Sequence, residues 1–313
     1  MESWILALPL LILTLLLTVV VFACFRKWKC ATGVLAVAFI VNWYGEVFAL
    51  HPFGVCSSEP DESLTVMSFN IHGPGEDFDK RITGIAELIR EENPDVVFLS
   101  EIFTPYKHFD QQLDSILKVS YPYSTYEGQT QWGNAFYSKH HIDSVQVLGI
   151  TIGKCLPLAS IIVNGKSVSL LGCHLSSNNY VDSKTKLEVN DISSHGEAKQ
   201  YFATLEKGYR SRRQDVDSLA LQLADVDMSH LIALGDMNDI GGSYTIRAFG
   251  AMGLKDAWWK GGFGLGGTRK VFGFPFRIDH IMYGSGFELK DVKAVESEGL
   301  SDHDAVMARF SIN

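Results

Sequence analysis

Apolar and polar positions follow two different patterns, one at the N-terminus and one over the rest of the chain. Residues 5–24 and 31–50 are long apolar stretches, separated by Arg26, Lys27 and Lys29. About 20 apolar residues are enough for a helix to cross a bilayer. The pattern therefore predicts a membrane hairpin of two transmembrane helices over residues 1–50, followed by a polar linker over residues 51–62.

The basic turn between the two stretches predicts the orientation of this hairpin. Short loops rich in Lys and Arg stay in the cytoplasm, so everything after residue 50 is expected to be extracytoplasmic. The second stretch is weaker because it contains Asn42 and Glu46; if it does not span, the domain that follows lies in the cytoplasm. A signal peptide fits poorly, since Glu2 occupies a region that is normally positive.

From residue 63 onwards, strand-like and helix-like segments alternate. Helical spacing puts Ile82, Ile85, Ala86 and Ile89 on one face of a helix over residues 79–92. Strands are expected over residues 64–71, 95–101, 231–235, 277–283 and 305–310, with further strands between 133 and 174 and a long helix over 197–224. Mixed strands and helices in one domain of residues 63–313 predict a layered α/β sandwich.

Polar residues recur where these strands end. A single Asn, Asp or His at a strand end commonly serves a turn or faces solvent. Six such sites in one domain are a stronger signal. Their members are Asn70, Glu101, His174, Asp236, Asn238, Asp279, His280, Asp302 and His303.

The short motifs around these residues resemble those of the endonuclease/exonuclease/phosphatase superfamily, which has the DNase I-like fold. They are SFNIHG (68–73), LSEIF (99–103), GCHLS (172–176), GDMND (235–239), RIDHI (277–281) and SDHDAV (301–306). Each is short, but together and in this order they are specific, and the resemblance covers roughly residues 63–312. The resemblance implies a DNase I-like α/β sandwich and hydrolysis of a phosphate ester.

The resemblance also implies a divalent cation, Mg²⁺ or Mn²⁺. Glu101 is expected to be its main ligand, with Asn70 beside it and Asp302 completing the site. Carboxylate and amide oxygens are the ligands that hard cations prefer. Such a cation neutralises charge on the phosphoryl oxygens and activates water, which is the chemistry that ester hydrolysis needs.

The other matched residues are implied to be catalytic. Asp236 would orient or deprotonate the attacking water, and Asn238 would hold the phosphate. His303 would pair with Asp279, which favours the charged imidazole; it is then either the base or a phosphate clamp. His174 would donate to the phosphate or to the leaving group. His280 is expected to be structural.

Net charge narrows the class of substrate. The chain carries −9, and residues 1–56 hold three basic and two acidic residues, so the remainder holds 24 basic and 34 acidic ones, a net of −10. This disfavours a protein that grips long nucleic acid. We therefore expect a membrane-anchored phosphoesterase that cleaves a phosphodiester or phosphomonoester by in-line attack of activated water. A membrane-tethered or extracytoplasmic nuclease and a non-catalytic binding module are the alternatives, and the oligomeric state stays open.

Three features outside the motifs also carry expectations. Residues 258–276 are rich in glycine and aromatic residues and include Arg269, so they form either a substrate-contacting loop or a packed surface loop. Arg210, Arg212 and Arg213 lie within the long helix and are expected to face solvent. Among the five cysteines, Cys155 and Cys173 are expected to be free thiols, since they should point to opposite faces of a hairpin.

Overall fold

The computed structural model describes residues 7–55, 63–73, 78–103, 109–127, 132–151, 154–177, 195–271 and 273–313. Its helices are α1 (Leu8–Cys24), α2 (Trp28–Gly45), α3 (Phe78–Glu92), α4 (Phe109–Leu117), α5 (His195–Gln222), α6 (Tyr244–Ala251) and α7 (Ala257–Gly261), with a 3-10 turn at Met228–His230. Its strands are β1 (Ala49–Leu50), β2 (Leu64–Asn70), β3 (Val96–Phe103), β4 (Tyr123–Glu127), β5 (Trp132–Ser138), β6 (Ile142–Thr151), β7 (Lys154–Val163), β8 (Lys166–His174), β9 (Leu231–Asp236), β10 (Lys255–Asp256), β11 (Phe263–Gly264), β12 (Arg269–Val271), β13 (Phe274–Phe276), β14 (Asp279–Tyr283), β15 (Phe287–Val295) and β16 (Ala305–Ile312).

Two six-stranded sheets form the centre of the domain. The first has the order β15-β16-β2-β3-β5-β4 and the second the order β10-β14-β9-β8-β7-β6. Apolar side chains from both sheets, such as Phe98 of the first and Leu170 of the second, pack into one shared core. Helices α3 and α4 pack on the first sheet, and α5 and α6 pack on the second. The predicted layered α/β sandwich is confirmed, with the layers in the order α/β/β/α.

Close packing between the sheets requires a glycine in β8. A Cβ atom on Gly172 would lie 2.1 Å from the ring of Phe98, which belongs to the opposite sheet. Because the glycine has no side chain, the buried aromatic ring can rest against the backbone of β8. This contact lies two residues before His174, so it also fixes the distance between the strand ends that carry polar residues.

The N-terminal stretches form the expected pair of helices, α1 and α2. Helix α1 has 17 residues and α2 has 18, the latter interrupted by Lys29 and Asn42. At about 1.5 Å per residue, each is shorter than the roughly 30 Å of a bilayer core. Within the described residues, no helix has both the length and the apolar character needed to cross a membrane. The prediction of two transmembrane helices is thus not supported.

The end of this hairpin packs on the α/β domain. Strand β1, directly after α2, pairs with β11 in an antiparallel ladder. Arg247 donates to the carbonyl oxygen of Tyr44 over 3.0 Å, and Arg277 donates to that of Glu46 over 3.3 Å. The side chain of Leu8 packs with Ile240 in a small apolar cluster. Residues 51–55 of the predicted linker follow this contact, and residues 56–62 lie outside the described part of the chain.

The three arginines of α5 do not behave alike. Arg210 and Arg213 are exposed, as expected. The prediction that Arg212 faces solvent is wrong, because its side chain is completely buried. Its Nε lies 3.3 Å from Asp239 Oδ2, and Nη1 donates to the carbonyl oxygen of Ser176. Helical periodicity identifies a face but not a buried partner on another element, which is why the sequence did not reveal it.

The two cysteines of the β7–β8 hairpin are free thiols, which confirms the expectation from strand geometry. Cys173 is buried in the core between the second sheet and its covering helices. Burial raises the pKa of the Cys173 thiol, so it stays protonated and behaves as a small apolar side chain.

Candidate active site

The strand register brings the predicted polar residues to one end of the sandwich. In the second sheet, His174 of β8 lies opposite Asp236 of β9, which in turn lies opposite Asp279 of β14. In the first sheet, β2 and β3 run parallel, with Asn70 opposite the residue that precedes Glu101. Since parallel strands end at the same edge, both sheets present their polar ends to a common site.

Glu101 lies at an irregularity in β3. The pairing of β3 with β5 shifts register between Leu99 and Ile102, and Glu101 adopts a left-handed conformation with φ of +60°. Such a bulge changes the direction of a side chain at the end of a strand. Non-glycine residues in this conformation cost about 1–3 kcal/mol, which the surrounding structure must offset.

Three side chains converge on the carboxylate of Glu101. The amide of Asn70 donates to Oε1 over 2.9 Å, His174 Nε2 lies 3.4 Å from the same oxygen, and His72 Nδ1 lies 3.5 Å from Oε2. Burial would raise the pKa of Glu101, but the hydrogen bonds from His174 and His72 outweigh it and hold the pKa well below its usual range. Glu101 is therefore a carboxylate anion at neutral pH.

Asp302 belongs to the same anionic group. Its Oδ1 lies 3.4 Å from His72 Nδ1, and its Oδ2 forms a 2.9 Å ion pair with Arg269 Nη2. Arg269 is part of β12, in the glycine-rich segment for which the sequence left a substrate-contacting loop and a packed surface loop as alternatives. Since β12 also forms a bridge to His303, this segment contacts the site directly.

Asp236 occupies the middle of the site and is almost completely buried. Its Oδ1 accepts from the backbone N–H of Asn238 over 2.8 Å, and its Oδ2 accepts from the amide of Asn70 over 3.0 Å. Burial, reinforced by the charge of Asp279, raises the pKa of Asp236. A raised pKa makes this carboxylate a better proton acceptor than an ordinary aspartate.

His303 and Asp279 form a buried pair beside Asp236. His303 Nδ1 lies 2.8 Å from Asp279 Oδ2, and His303 Nε2 lies 3.9 Å from Asp236 Oδ2. Burial opposes the charged imidazole, but the charge of Asp279 and its hydrogen bond outweigh this and raise the pKa of His303 to about 9. The imidazole is therefore protonated at neutral pH.

Asn238 completes the loop after β9. It is nearly buried, has a left-handed backbone with φ of +53°, and donates from Nδ2 to the carbonyl oxygen of Leu175. The buried Arg212–Asp239 pair lies directly beside it and ties this loop to α5 and to Ser176. The eight predicted site residues therefore form one connected group, in which each contacts at least one other within 3.9 Å. They are Asn70, Glu101, His174, Asp236, Asn238, Asp279, Asp302 and His303.

His280 is part of a separate buried cluster and has a structural role. Its Nδ1 lies 2.9 Å from Asp256 Oδ2, and its Nε2 lies 2.9 Å from the carbonyl oxygen of Asp239. Arg277 also pairs with Asp256. This cluster connects the end of the hairpin at Glu46 to the loop that carries Asn238.

Sequence reasoning missed two residues that shape the site. His72 lies within the SFNIHG motif, two residues after Asn70, and a third polar residue at a strand end was a signal for it. Arg81 donates to the carbonyl oxygens of Ile71, Gly73 and Leu300, each over 2.8 Å. It thereby ties the loop with His72 to the loop with Asp302, and nothing in the local sequence of α3 indicated this.

The side chains of the site suit a divalent cation. Glu101, His174 and Asp236 each offer a ligand atom within 4.8 Å of the others. The carboxylate of Asp302 contacts His72, which in turn contacts Glu101. Carboxylates held as anions in a partly open site are the usual ligands of Mg²⁺ and Mn²⁺. The side-chain oxygen of Asn70 accepts from the backbone N–H of His72, so its amide group faces the carboxylates and orients them.

Comparison with known proteins agrees with this site. The model of the Endonuclease/Exonuclease/phosphatase family matches residues 67–303, a range that includes all eight predicted residues. No curated protein matches the chain. The family match covers well over half of the sequence.

Solved structures share the fold at low sequence identity. TDP2 from D. rerio, crystallised with a single-strand DNA product, is 17% identical over 80% of this chain and 100% of its own, with a TM-score of 0.59. Truncated TDP2 from Caenorhabditis elegans is 20% identical over 79% and 97%, with a TM-score of 0.57. An endonuclease/exonuclease/phosphatase from Beutenbergia cavernae is 19% identical over 80% and 72%, with a TM-score of 0.56.

The fold, the ordered motifs and the family match agree with one another. The DNase I-like resemblance that the motifs suggested is confirmed. The chain belongs to the endonuclease/exonuclease/phosphatase family and is a phosphoric ester hydrolase.

Proposed function

We propose that the protein is a divalent-metal-dependent phosphoesterase that hydrolyses a phosphodiester or phosphomonoester by in-line attack of water. The observation that carries this proposal is the position of Asp236. Its buried carboxylate lies between the anionic Glu101 group on one side and the protonated His303 on the other. The reaction needs three parts: a group that accepts the proton of the attacking water, a site for the cation, and a fixed positive charge that binds the phosphate.

Glu101 and Asp302 would hold the cation, Mg²⁺ or Mn²⁺, with Asn70 in contact with Glu101. When bound, the cation would neutralise charge on the phosphoryl oxygens. The anionic state of Glu101 supports this role, because its carboxylate is already deprotonated over the whole physiological pH range.

Asp236 would accept the proton of the attacking water as the oxygen–phosphorus bond forms. The same carboxylate is fixed by Asn70 and by the backbone of Asn238, which would keep the water in line with the leaving oxygen. Asn238 would hold the phosphate, and His174 would donate to the phosphate or to the leaving oxygen.

His303 would act as a charged phosphate clamp rather than as the base. Its pKa of about 9 keeps a proton on Nε2 at neutral pH, so the imidazolium is a donor and cannot accept a proton from water. Asp279 would hold the ring in this orientation through Nδ1.

We further propose that the hairpin attaches the enzyme to a lipid bilayer. Large apolar side chains on both helices are exposed, among them Leu17 and Val20 of α1 and Ile40 of α2. An apolar surface of this extent is unusual on a soluble protein and favours contact with lipid. The basic turn predicts an extracytoplasmic domain on the condition that both helices span, and protease accessibility on intact cells tests that prediction.

Vesicle flotation tests the attachment. Leu17→Glu or Val20→Glu should release the protein from phospholipid vesicles, because a charge on the apolar face opposes burial in lipid. Leu221→Glu is the matched control, since Leu221 is 80% exposed on α5, away from the hairpin. Equal flotation of all three variants would contradict the proposal.

A nuclease is the second candidate function. The observation in its favour is the likeness to D. rerio TDP2, whose crystal structure holds a single-strand DNA product. The net charge of −10 outside residues 1–56 weighs against it, because DNA binding relies on basic contacts to phosphates.

A substrate panel distinguishes these functions. Bis(4-nitrophenyl) phosphate, 4-nitrophenyl phosphate, single-stranded DNA and phospholipid vesicles would each be tested with Mg²⁺, with Mn²⁺ and with EDTA. Asp236→Asn should reduce the turnover of the preferred substrate by at least about 100-fold, whereas Asp291→Asn on the exposed side of β15 should not. Cleavage of DNA alone would favour the nuclease. No turnover of any substrate would contradict the proposal and favour a binding module.

A further inference from the structure

Exposed apolar side chains continue from the hairpin onto the α/β domain. Leu50 of β1 and Phe263 of β11 lie directly opposite each other in their two-stranded ladder, so both side chains are on the same face of it. Both are more than half exposed, and Phe53, three residues after Leu50, is 96% exposed. These three side chains and the exposed Trp43 of α2 are called the collar below.

The collar is fixed by aromatic packing and continues the apolar surface of the helices. Trp43 packs edge-on against Trp259 of α7, with 6.1 Å between ring centroids, and Phe263 packs edge-on against Phe48, with 5.7 Å. Contiguous exposed apolar surface marks a contact with a partner or a membrane, and Trp is enriched at the membrane–water interface. Because the collar adjoins helices that the proposed function places in lipid, its expected occupant is the same bilayer.

The end of the hairpin that carries the collar also contacts the loop after β9. Leu8, at the start of α1, packs over Gly45 at the end of α2, where a Cβ would lie 2.7 Å from Leu8 Cδ1. Leu8 also packs with Ile240. Ile240 comes two residues after Asn238, so the Cα atoms of these two residues are within about 8 Å of each other. The residue that the proposed function assigns to the phosphate therefore lies close to the domain end of the hairpin.

A second connection joins the site to the same end of the hairpin. Arg269 of β12 lies opposite Phe276 of β13. Phe276 packs against the cluster of Leu8 and Ile240, whereas Arg269 pairs with Asp302 of the site over 2.9 Å. One strand of this ribbon thus contacts the site and the other contacts the hairpin. Both connections put the site beside the surface that the collar continues.

We propose that the collar docks the α/β domain on the surface of a phospholipid bilayer, and that the active site consequently takes its phosphate ester from a phospholipid headgroup. This inference rests on the proposed function, both for the attachment of the hairpin to lipid and for hydrolysis at Asp236. The hairpin holds the chain at the membrane, and the collar sets the orientation of the domain on it. The alternative occupant of the collar is a second copy of the chain.

Fluorescence of the full-length protein in phospholipid vesicles tests the docking without any measurement of turnover. Phe53→Trp adds a tryptophan to the collar, and dibrominated phosphatidylcholine in the vesicles should quench most of the emission that this variant gains over the wild type. Val119→Trp is the matched control, because Val119 is largely exposed just after α4, on the outer side of the first sheet. Its added emission should persist in the brominated vesicles.

Phe53→Asp and Phe263→Asp test the consequence for the substrate. Both side chains are exposed, so the variants should keep the wild-type melting temperature and the wild-type rate on bis(4-nitrophenyl) phosphate in solution. Hydrolysis of phosphatidylcholine, phosphatidylethanolamine or phosphatidylglycerol in vesicles should fall about tenfold or more, because a charge opposes contact with lipid. Val119→Asp should match the wild type in both assays.

The outcomes separate this inference from the function on which it rests. If the wild type hydrolyses bis(4-nitrophenyl) phosphate but none of the vesicle phospholipids, or if the collar variants cleave them as fast as the wild type does, the inference is overturned. A dimer in detergent that Phe53→Asp dissociates, without quenching of the added tryptophan by lipid, would also overturn it and assign the collar to a second copy. Failure of the wild type to float with vesicles or to hydrolyse bis(4-nitrophenyl) phosphate would contradict the proposed function itself. Quenching in Phe53→Trp, together with a loss confined to phospholipid turnover in the two aspartate variants, supports the inference.

Discussion

The buried ion pair between Arg212 and Asp239 provides a prediction whose magnitude follows from the structure. Arg212 is 0% exposed and Asp239 is 2% exposed, with 3.3 Å between Nε and Oδ2. Arg212→Met keeps much of the side-chain volume but removes the guanidinium. Among the described residues, Thr245 is then the side-chain donor left to the buried carboxylate. Removing one partner of a buried pair costs about 3–5 kcal/mol, so we expect the free energy of unfolding to fall by that amount.

Guanidinium denaturation of the full-length chain in detergent measures this loss. Arg210→Met is the matched control, because Arg210 is exposed on the same helix and pairs with Glu206 over 2.7 Å. An exposed pair of this kind is screened by solvent and contributes little to stability, so this variant should unfold like the wild type. Adding Asp239→Asn to Arg212→Met should recover part of the stability, since the unpaired charge is then removed. A loss below about 1 kcal/mol in Arg212→Met would refute the assignment of a buried charge pair.

Three further predictions concern the same site and its frame. His303 has a pKa of about 9 in the fold against 6.5 for an ordinary histidine, so its stabilisation is present below pH 6.5 and is lost as the pH rises through 9. The unfolding free energy of cation-free protein should therefore fall as the pH rises, and Asp279→Asn should remove up to about 3 kcal/mol of that fall. Denaturation at each pH measures the fall in both proteins. Equal falls in the wild type and the variant would contradict the prediction. Arg81→Met should lower the unfolding free energy by about 2–3 kcal/mol and weaken Mn²⁺ binding, because three carbonyl oxygens lose their donor; calorimetry checks both effects. Gly235→Ala should abolish stable folding, because at φ of +147° a Cβ there would lie 1.9 Å from a backbone oxygen. Gly253 has a φ of +97° but open space around it, so Gly253→Ala should lower the unfolding free energy by only about 1 kcal/mol. Thermal melts of the two variants check this difference.

The positions of the candidate site residues were predicted more accurately than the contacts around them, because these residues lie at the ends of strands. A buried strand is a short, local pattern, and a polar residue at its end can be identified without any knowledge of the strands beside it. Glu101 and Asp236 are examples, and both lie where the ends of β3 and β9 were expected. Strand β9 pairs with both β8 and β14, and this places Asp236 between His174 and Asp279. Such pairing joins strands that are distant in the sequence, so the local pattern does not predict it.

The features that the sequence did not reveal depend on contacts between distant elements. Arg212 has the helical position of a solvent-facing residue, and only the loop after β9 supplies its buried partner. The apolar N-terminal stretches indicated a membrane hairpin, but local hydropathy carries no information on how its end packs on the catalytic domain. Glu46 illustrates this: its carbonyl oxygen accepts from Arg277, 231 residues away.

The central claim is that Glu101 holds a divalent cation on which ester hydrolysis depends. Hydrolysis of bis(4-nitrophenyl) phosphate as a function of Mg²⁺ and Mn²⁺ concentration, in wild type and in Glu101→Gln, tests it most directly. Glu127→Gln, on the edge strand β4, is the matched control. The account predicts that the wild type is inactive in EDTA and restored by the cation, that Glu101→Gln loses at least about 100-fold in rate, and that Glu127→Gln matches the wild type. Undiminished, cation-stimulated turnover by Glu101→Gln would contradict it.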